Sequence, residues 1–104
     1  TGIAVSSDTF WPGQERYDCF TGYVPQRFKG SLKEWQQLGV LNYEMETSAL
    51  FVTAQCLGLK AGAVCGVVAK RTESEQIAPG SAYEKSFAAM IKIITDAVPV
   101  LAEK

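Results

Sequence analysis

Gln14 and Arg16 stand two residues apart in the run Ser6-Ser7-Asp8-Thr9-Phe10-Trp11-Pro12-Gly13-Gln14-Glu15-Arg16. An amide offers both donor and acceptor, and a guanidinium offers donors alone in a rigid fork. Together they could read the edge of a planar, carbonyl-rich ring such as uracil, with Phe10 or Trp11 against its face. Taken alone, the segment reads as a surface loop. Pro12-Gly13 marks a turn, and Gln and Arg beside turns are commonly just solvated.

Two more polar clusters change that balance. Glu44-Met45-Glu46 follows an apolar run, and Lys70-Arg71-Thr72 follows another. Glu44 and Glu46 are an i, i+2 pair, so on an extended strand they share a face. Like charges there need partners. A vicinal diol such as a ribose is one, since a carboxylate can accept from both hydroxyls. An alternative places Glu46 at the start of a helix, where its charge suits the dipole. A glycosidase-like acid and base pair ranks lower, because nothing shows the two carboxyls straddling a scissile bond. Arg71 directly follows a buried run and could stabilise charge on a leaving group. By residue type, Met45 and Trp35 read as core packing.

The elements that must hold these residues alternate. Strands are expected at residues 2–6, 39–44 or 45, and 61–69. Every residue of the third is apolar or glycine, which suits a strand buried on both faces of a parallel sheet. Gly62 and Gly66 would let a helix or ligand approach closely. Ser31-Leu32-Lys33-Glu34 reads as a capping box opening a short helix with Leu32, Trp35 and Leu38 on one side, ended by Gly39. A second helix begins near Thr47, carries Leu50, Phe51, Ala54 and Leu57, and stops at Gly58. A third opens at the capping box Ser81-Ala82-Tyr83-Glu84. Its Phe87, Met90, Ile91, Ile94, Val98 and Leu101 keep helical spacing, and Pro99 should kink or end it. Residues 8–30 form a long loop with room for a short strand around Tyr23 and Val24. Residues 73–80 form an acidic connection that could serve as a lid. This order predicts an α/β fold with a parallel sheet, covering helices and right-handed crossovers. In such sheets ligands bind beyond the carboxyl ends of the strands. The three polar clusters all fall there, and that convergence turns the reading from loop to site.

Composition narrows the chemistry. The chain has 104 residues, 47% hydrophobic, with a net charge of -1. That fits one domain with material for a core. No basic stripe supports nucleic-acid binding, and no apolar run reaches bilayer length. Cys19, Cys56 and Cys65 are widely spaced and odd in number, which suits a reducing cytosol better than a disulfide framework. Cys56 and Cys65 are expected as small buried hydrophobes and Cys19 as a loop thiol. Histidine is absent, so the chain itself supplies no Ser-His-Asp or Cys-His triad and no imidazole metal ligand. No signal-peptide pattern opens the chain. The first residues already read as a strand, so a C-terminal portion of a longer protein is expected.

The segments 6–18, Arg27-Phe28-Lys29-Gly30-Ser31, Asn42-Tyr43-Glu44-Met45-Glu46, Gly58-Leu59-Lys60-Ala61-Gly62 and Arg71-Thr72 resemble the C-terminal part of the bacterial uridine phosphorylases, within the nucleoside phosphorylase family. The resemblance covers nearly the whole chain, and its long first motif is the specific part. It implies a three-layer α/β/α fold with a mixed, largely parallel sheet, of which residues 1–104 are the C-terminal portion of one domain. It implies reversible phosphorolysis of uridine to uracil and ribose 1-phosphate in the cytoplasm by a hexameric homo-oligomer. Phosphate is then a co-substrate, with no cofactor and no metal. Gln14 and Arg16 would bond the uracil carbonyls and ring amide, Phe10 would pack on the nucleoside, and Arg71 would assist at the base. Met45 and Glu46 would hold the ribose hydroxyls, Glu44 would support that segment, and Met45 thereby leaves the core. Purine-specific relatives place an aspartate near the end of the last strand. Lys70-Arg71-Thr72 has none, which favours a pyrimidine. Cys65, Ala69-Lys70 and Cys19-Phe20 depart from the commonest pattern. Phosphate-binding residues lie in the family's N-terminal portion and in a neighbouring subunit, so these 104 residues alone are expected to be inactive. A nucleosidase using water, or a non-catalytic nucleoside-binding fragment, is the alternative.

Overall fold

The computed structural model describes Thr1 to Glu103 and separates into two units, Thr1–Gly62 and a second beginning at Ala63. The first unit is built around two parallel strands, β1 (Ile3–Ser6) and β2 (Val40–Glu44). Their register pairs Ala4 with Asn42, Val5 with Tyr43 and Ser6 with Glu44, after an irregularity between Ile3 and Ala4. Helix α1 (Ser31–Gln37) lies between them in sequence, and α2 (Thr47–Cys56) follows β2. Because the strands are parallel, both carboxyl ends fall on one edge, as the alternating pattern predicts.

The helix ends obey local chemistry at their C-termini and long-range chemistry at their starts. Gly58 takes φ 68° after α2. Its N–H meets the Gln55 carbonyl and the Leu59 N–H meets that of Ala54 (2.8 Å), a Schellman motif. Gly39 does the same work after α1 at φ 74°. The predicted capping box at Ser31 is not formed. The N-cap of α1 is Gly30, and Ser31 sits inside the helix. Its hydroxyl and the Leu32 N–H are taken by Glu15, a residue 16 positions away that no local pattern announces.

The core of this unit is small. Val24 is fully buried and Ala54 nearly so. Val24 achieves this without the short strand expected at residues 23–24. The backbone there is irregular, followed by one 3-10 turn (Gln26–Phe28). Trp35 and Leu32 are half-buried, while Leu38, Leu50, Phe51 and Leu57 are largely exposed.

The second unit contains α3 (Gly80–Ala102), 23 residues long. It begins after Pro79 with no side-chain cap, so the predicted box at Ser81 is also not used. The helix passes through Pro99 to Ala102, and the Glu103 N–H closes on the Pro99 carbonyl (3.3 Å). Proline in the last turn forfeits one amide bond, and the turn after it still forms. The stripe Phe87, Ile91, Ile94, Val98 and Leu101 keeps its helical spacing but is about half exposed. Gly66 behaves as expected of a close-approach position. A Cβ there would strike Ser86 Oγ and crowd the Met90 thioether of α3, whereas Gly62 faces open space.

The third strand predicted at residues 61–69 is a correction. Among the described residues the sheet has two strands, and 61–69 enters no ladder. A strand exists only through neighbours that take its N–H and C=O groups. Here the Val68 carbonyl instead accepts from the Ala78 N–H (2.6 Å) across a loop. For the same reason Cys65 is exposed, not buried, and Cys56 on α2 is exposed as well. None of the described helices is long and apolar enough to cross a membrane.

Candidate functional site

The carboxyl ends of β1 and β2 are joined by the Ser7 N–H on the Glu44 carbonyl (2.9 Å) and by the Ser6 hydroxyl. Ser6 Oγ donates to Glu44 Oε1, its partner across the ladder, and accepts from the Ser48 N–H of α2 (2.9 Å). Thr47 Oγ1 lies 3.2 Å from the same oxygen. The other oxygen of Glu44 accepts the N–H of Glu46 (2.7 Å) and of Thr47 (2.6 Å). Glu44 therefore satisfies amides at the start of α2 that no residue within the helix can reach. Burial of the Glu44 carboxyl would raise its pKa. The hydrogen bonds from Ser6, from the Thr47 side chain and from the Thr47 and Glu46 amides outweigh this and bring it down to about 2.

This geometry corrects one expectation. Strand β2 ends at Glu44, so Glu44 and Glu46 are not a face-sharing pair on an extended strand. Glu46 is the N-cap of α2, with φ −127°, and its own carboxylate reaches back to the Met45 N–H (3.3 Å). Met45 and Glu46 stand exposed at the strand end, while Glu44 turns inward to hold the helix.

After β1 the chain enters a tight loop. The Gly13 N–H bonds Thr9 Oγ1 (2.9 Å), and the Glu15 and Arg16 amides bond the carbonyls of Pro12 (3.1 Å) and Trp11 (2.8 Å). A Cβ at Gly13 would lie 2.8 Å from Thr9 O and from Thr9 Oγ1, so the turn admits only glycine without distortion. The loop places Gln14 at 6% and Arg16 at 3% exposure. These are not solvated turn residues. The Arg16 guanidinium carbon sits 4.1 Å from the centroid of the Phe10 ring, and its Nη1 lies 3.4 Å from Asp18 Oδ2. Phe10 meets Trp11 edge-to-face at 5.2 Å. A buried guanidinium held by an aromatic face and a carboxylate is a pre-aimed donor array, suited to carbonyl oxygens or an anion.

The first unit contains two of the three predicted clusters, the Gln14 and Arg16 loop after β1 and the 44–46 segment after β2, each following a strand that ends on the same sheet edge. Arg71 belongs to the second unit. It is half-buried there, in a turn where the amides of Glu73 and Ser74 bond the Lys70 carbonyl. Two structural residues escaped the sequence reading of the site. Ser6 was visible as a polar residue at a strand end, but its bond to Glu44 spans 38 positions. Glu15 carried no signal, because its partners lie on α1.

The chain matches the family model described as the phosphorylase superfamily over residues 1–99. It is similar to a uridine phosphorylase of Klebsiella aerogenes, 48% identical over 92% of this chain and 38% of that protein. It is 57% identical to a uridine phosphorylase of Haemophilus influenzae over 71% of this chain and 29% of that protein. A more distant uridine phosphorylase, from Thermococcus kodakarensis, is 38% identical over 98% of this chain and 34% of its own length. The chain spans less than two fifths of the length of these relatives. With a matched span of 1–99, a parallel β-α-β unit and a polar strand edge, the chain belongs to the phosphorylase superfamily.

Proposed function

We propose that this chain supplies the base- and ribose-binding part of a uridine phosphorylase, which converts uridine and phosphate to uracil and ribose 1-phosphate. The observation that carries the reading is the burial of Gln14 and Arg16 in a loop leaving the same strand edge that ends in Glu44-Met45-Glu46. Gln14 and Arg16 bond the uracil edge, Phe10 packs on the nucleoside, and Met45 and Glu46 take the ribose. Glu44 works one step back, by holding the 45–47 backbone.

Phosphate oxygen attacks C1′ as the C1′–N1 bond breaks. The bonding pair leaves with the base, and N1 then takes a proton from solvent or from the phosphate. Sugar and base develop opposite charges in between. Donors from Gln14 and Arg16 at the uracil oxygens stabilise the departing anion, each worth about 3–4 kcal/mol of barrier. Phosphate is the nucleophile, so no protein nucleophile is required. In this reading phosphate is bound by residues other than these 104, some from a neighbouring subunit of a cytoplasmic hexamer.

Product analysis tests it. The full-length protein carrying this sequence, given uridine and phosphate, should release uracil and ribose 1-phosphate. Free ribose, or turnover independent of phosphate, would replace the proposal with a hydrolase.

A further inference from the structure

We propose that Glu15 is a positioning residue for the base-reading pair, its carboxylate fastening the loop at residues 9–16 to the start of α1. The proposal rests on the function assigned above, in which Gln14 and Arg16 hold uracil. Glu15 lies between these two buried residues and has φ 50°, the one positive value among the described non-glycine residues. A side chain with a Cβ enters that region at a cost, and it stays only where the surroundings over-determine it.

Two sets of bonds do so here. The main chain is held by the amides of Glu15 and Arg16 on the carbonyls of Pro12 and Trp11. The side chain is held by Ser31 Oγ (3.1 Å) and the Leu32 N–H (2.9 Å), both donating to Glu15 Oε2. The N-cap of α1 is Gly30, which has no side chain to serve these donors, so Glu15 serves them from the loop. A return of residue 15 to negative φ would rotate Arg16 relative to Gln14, and the pair would lose its common target.

The test is kinetic, in the full-length protein carrying this sequence. Glu15→Ala should raise the KM for uridine about ten- to a hundredfold, the size expected of a misplacement near 1 Å. The KM for phosphate should stay within about twofold, since uniform loss of fold would not single out one substrate. Glu15→Gly accepts φ 50° freely but lacks the carboxylate, and it should behave like the alanine variant. Glu15→Gln keeps an acceptor and should return the uridine KM to within about threefold of wild type. Ser31→Ala, outside the base pocket, should raise it by about two- to threefold. An unchanged uridine KM in Glu15→Gly, or parallel rises for uridine and phosphate, would overturn the proposal. A wild type without uridine turnover would overturn the functional assignment, and this proposal with it.

Discussion

Replacing Glu44 with glutamine keeps the size of the side chain and removes its charge. In the wild type the carboxylate accepts hydrogen bonds from Ser6 Oγ, from the Thr47 side chain and from the amides of Glu46 and Thr47. The amide keeps one acceptor oxygen and turns a donor toward Ser6, whose hydroxyl already accepts from Ser48. A carboxyl held at about 2 instead of 4.5 corresponds to roughly 3.4 kcal/mol of stabilisation, at about 1.36 kcal/mol per decade. Partial solvent exposure screens this, so Glu44→Gln should cost about 1.5–2 kcal/mol at neutral pH. The sign follows from the direction of the shift. A carboxyl with a depressed folded-state pKa contributes fully above its unfolded value of 4.5 and loses that contribution as pH falls toward about 2. Urea unfolding of wild type and variant, repeated from neutral pH downward, should therefore show a gap that is constant above about pH 5 and closes below it. A gap that is absent at neutral pH, or that persists unchanged into strong acid, would refute the assignment of Glu44 as the charged anchor of α2.

Other outcomes are equally specific. Ser6→Ala should cost about 1 kcal/mol by urea unfolding, and combined with Glu44→Gln should cost clearly less than the sum, because both remove the same bond. Arg16→Lys keeps the charge and loses the fork and the Phe10 stacking at a buried position, so kcat/KM for uridine should fall about a hundredfold and the melting temperature should drop as well. Gly66→Ala drives a methyl into Ser86 and Met90 of α3 and should destabilise by about 1–3 kcal/mol, read as a lower melting temperature.

The parts legible in the sequence were those encoded by neighbours. Gly39 and Gly58 announced helix ends because positive φ is a property of the single residue. The run at residues 40–44 and the turn at Pro12-Gly13 were readable for similar reasons. The Gln14 and Arg16 spacing was visible in the sequence, yet burial of both side chains depends on how that loop folds back under Phe10, which spacing cannot express. The capping boxes failed because Ser31 had a stronger suitor in Glu15, and α3 starts at Gly80 ahead of its box. The strand expected at 61–69 failed because apolar character states a preference for burial, while a ladder needs a partner beside it. Glu44 and Glu46 were legible as a pair but not as a division of labour, which appears only once β2 is seen to stop between them.

The hydroxyl of Ser6 has a wider consequence. One oxygen bridges the strand that launches the loop at residues 9–16, the strand that ends in Glu44, and the first turn of the following helix. The exits of both strands are thereby hung from a common rivet. A lineage could not reshape the first strand's exit without also disturbing the second's, so substitutions at the two strand ends should arrive coupled.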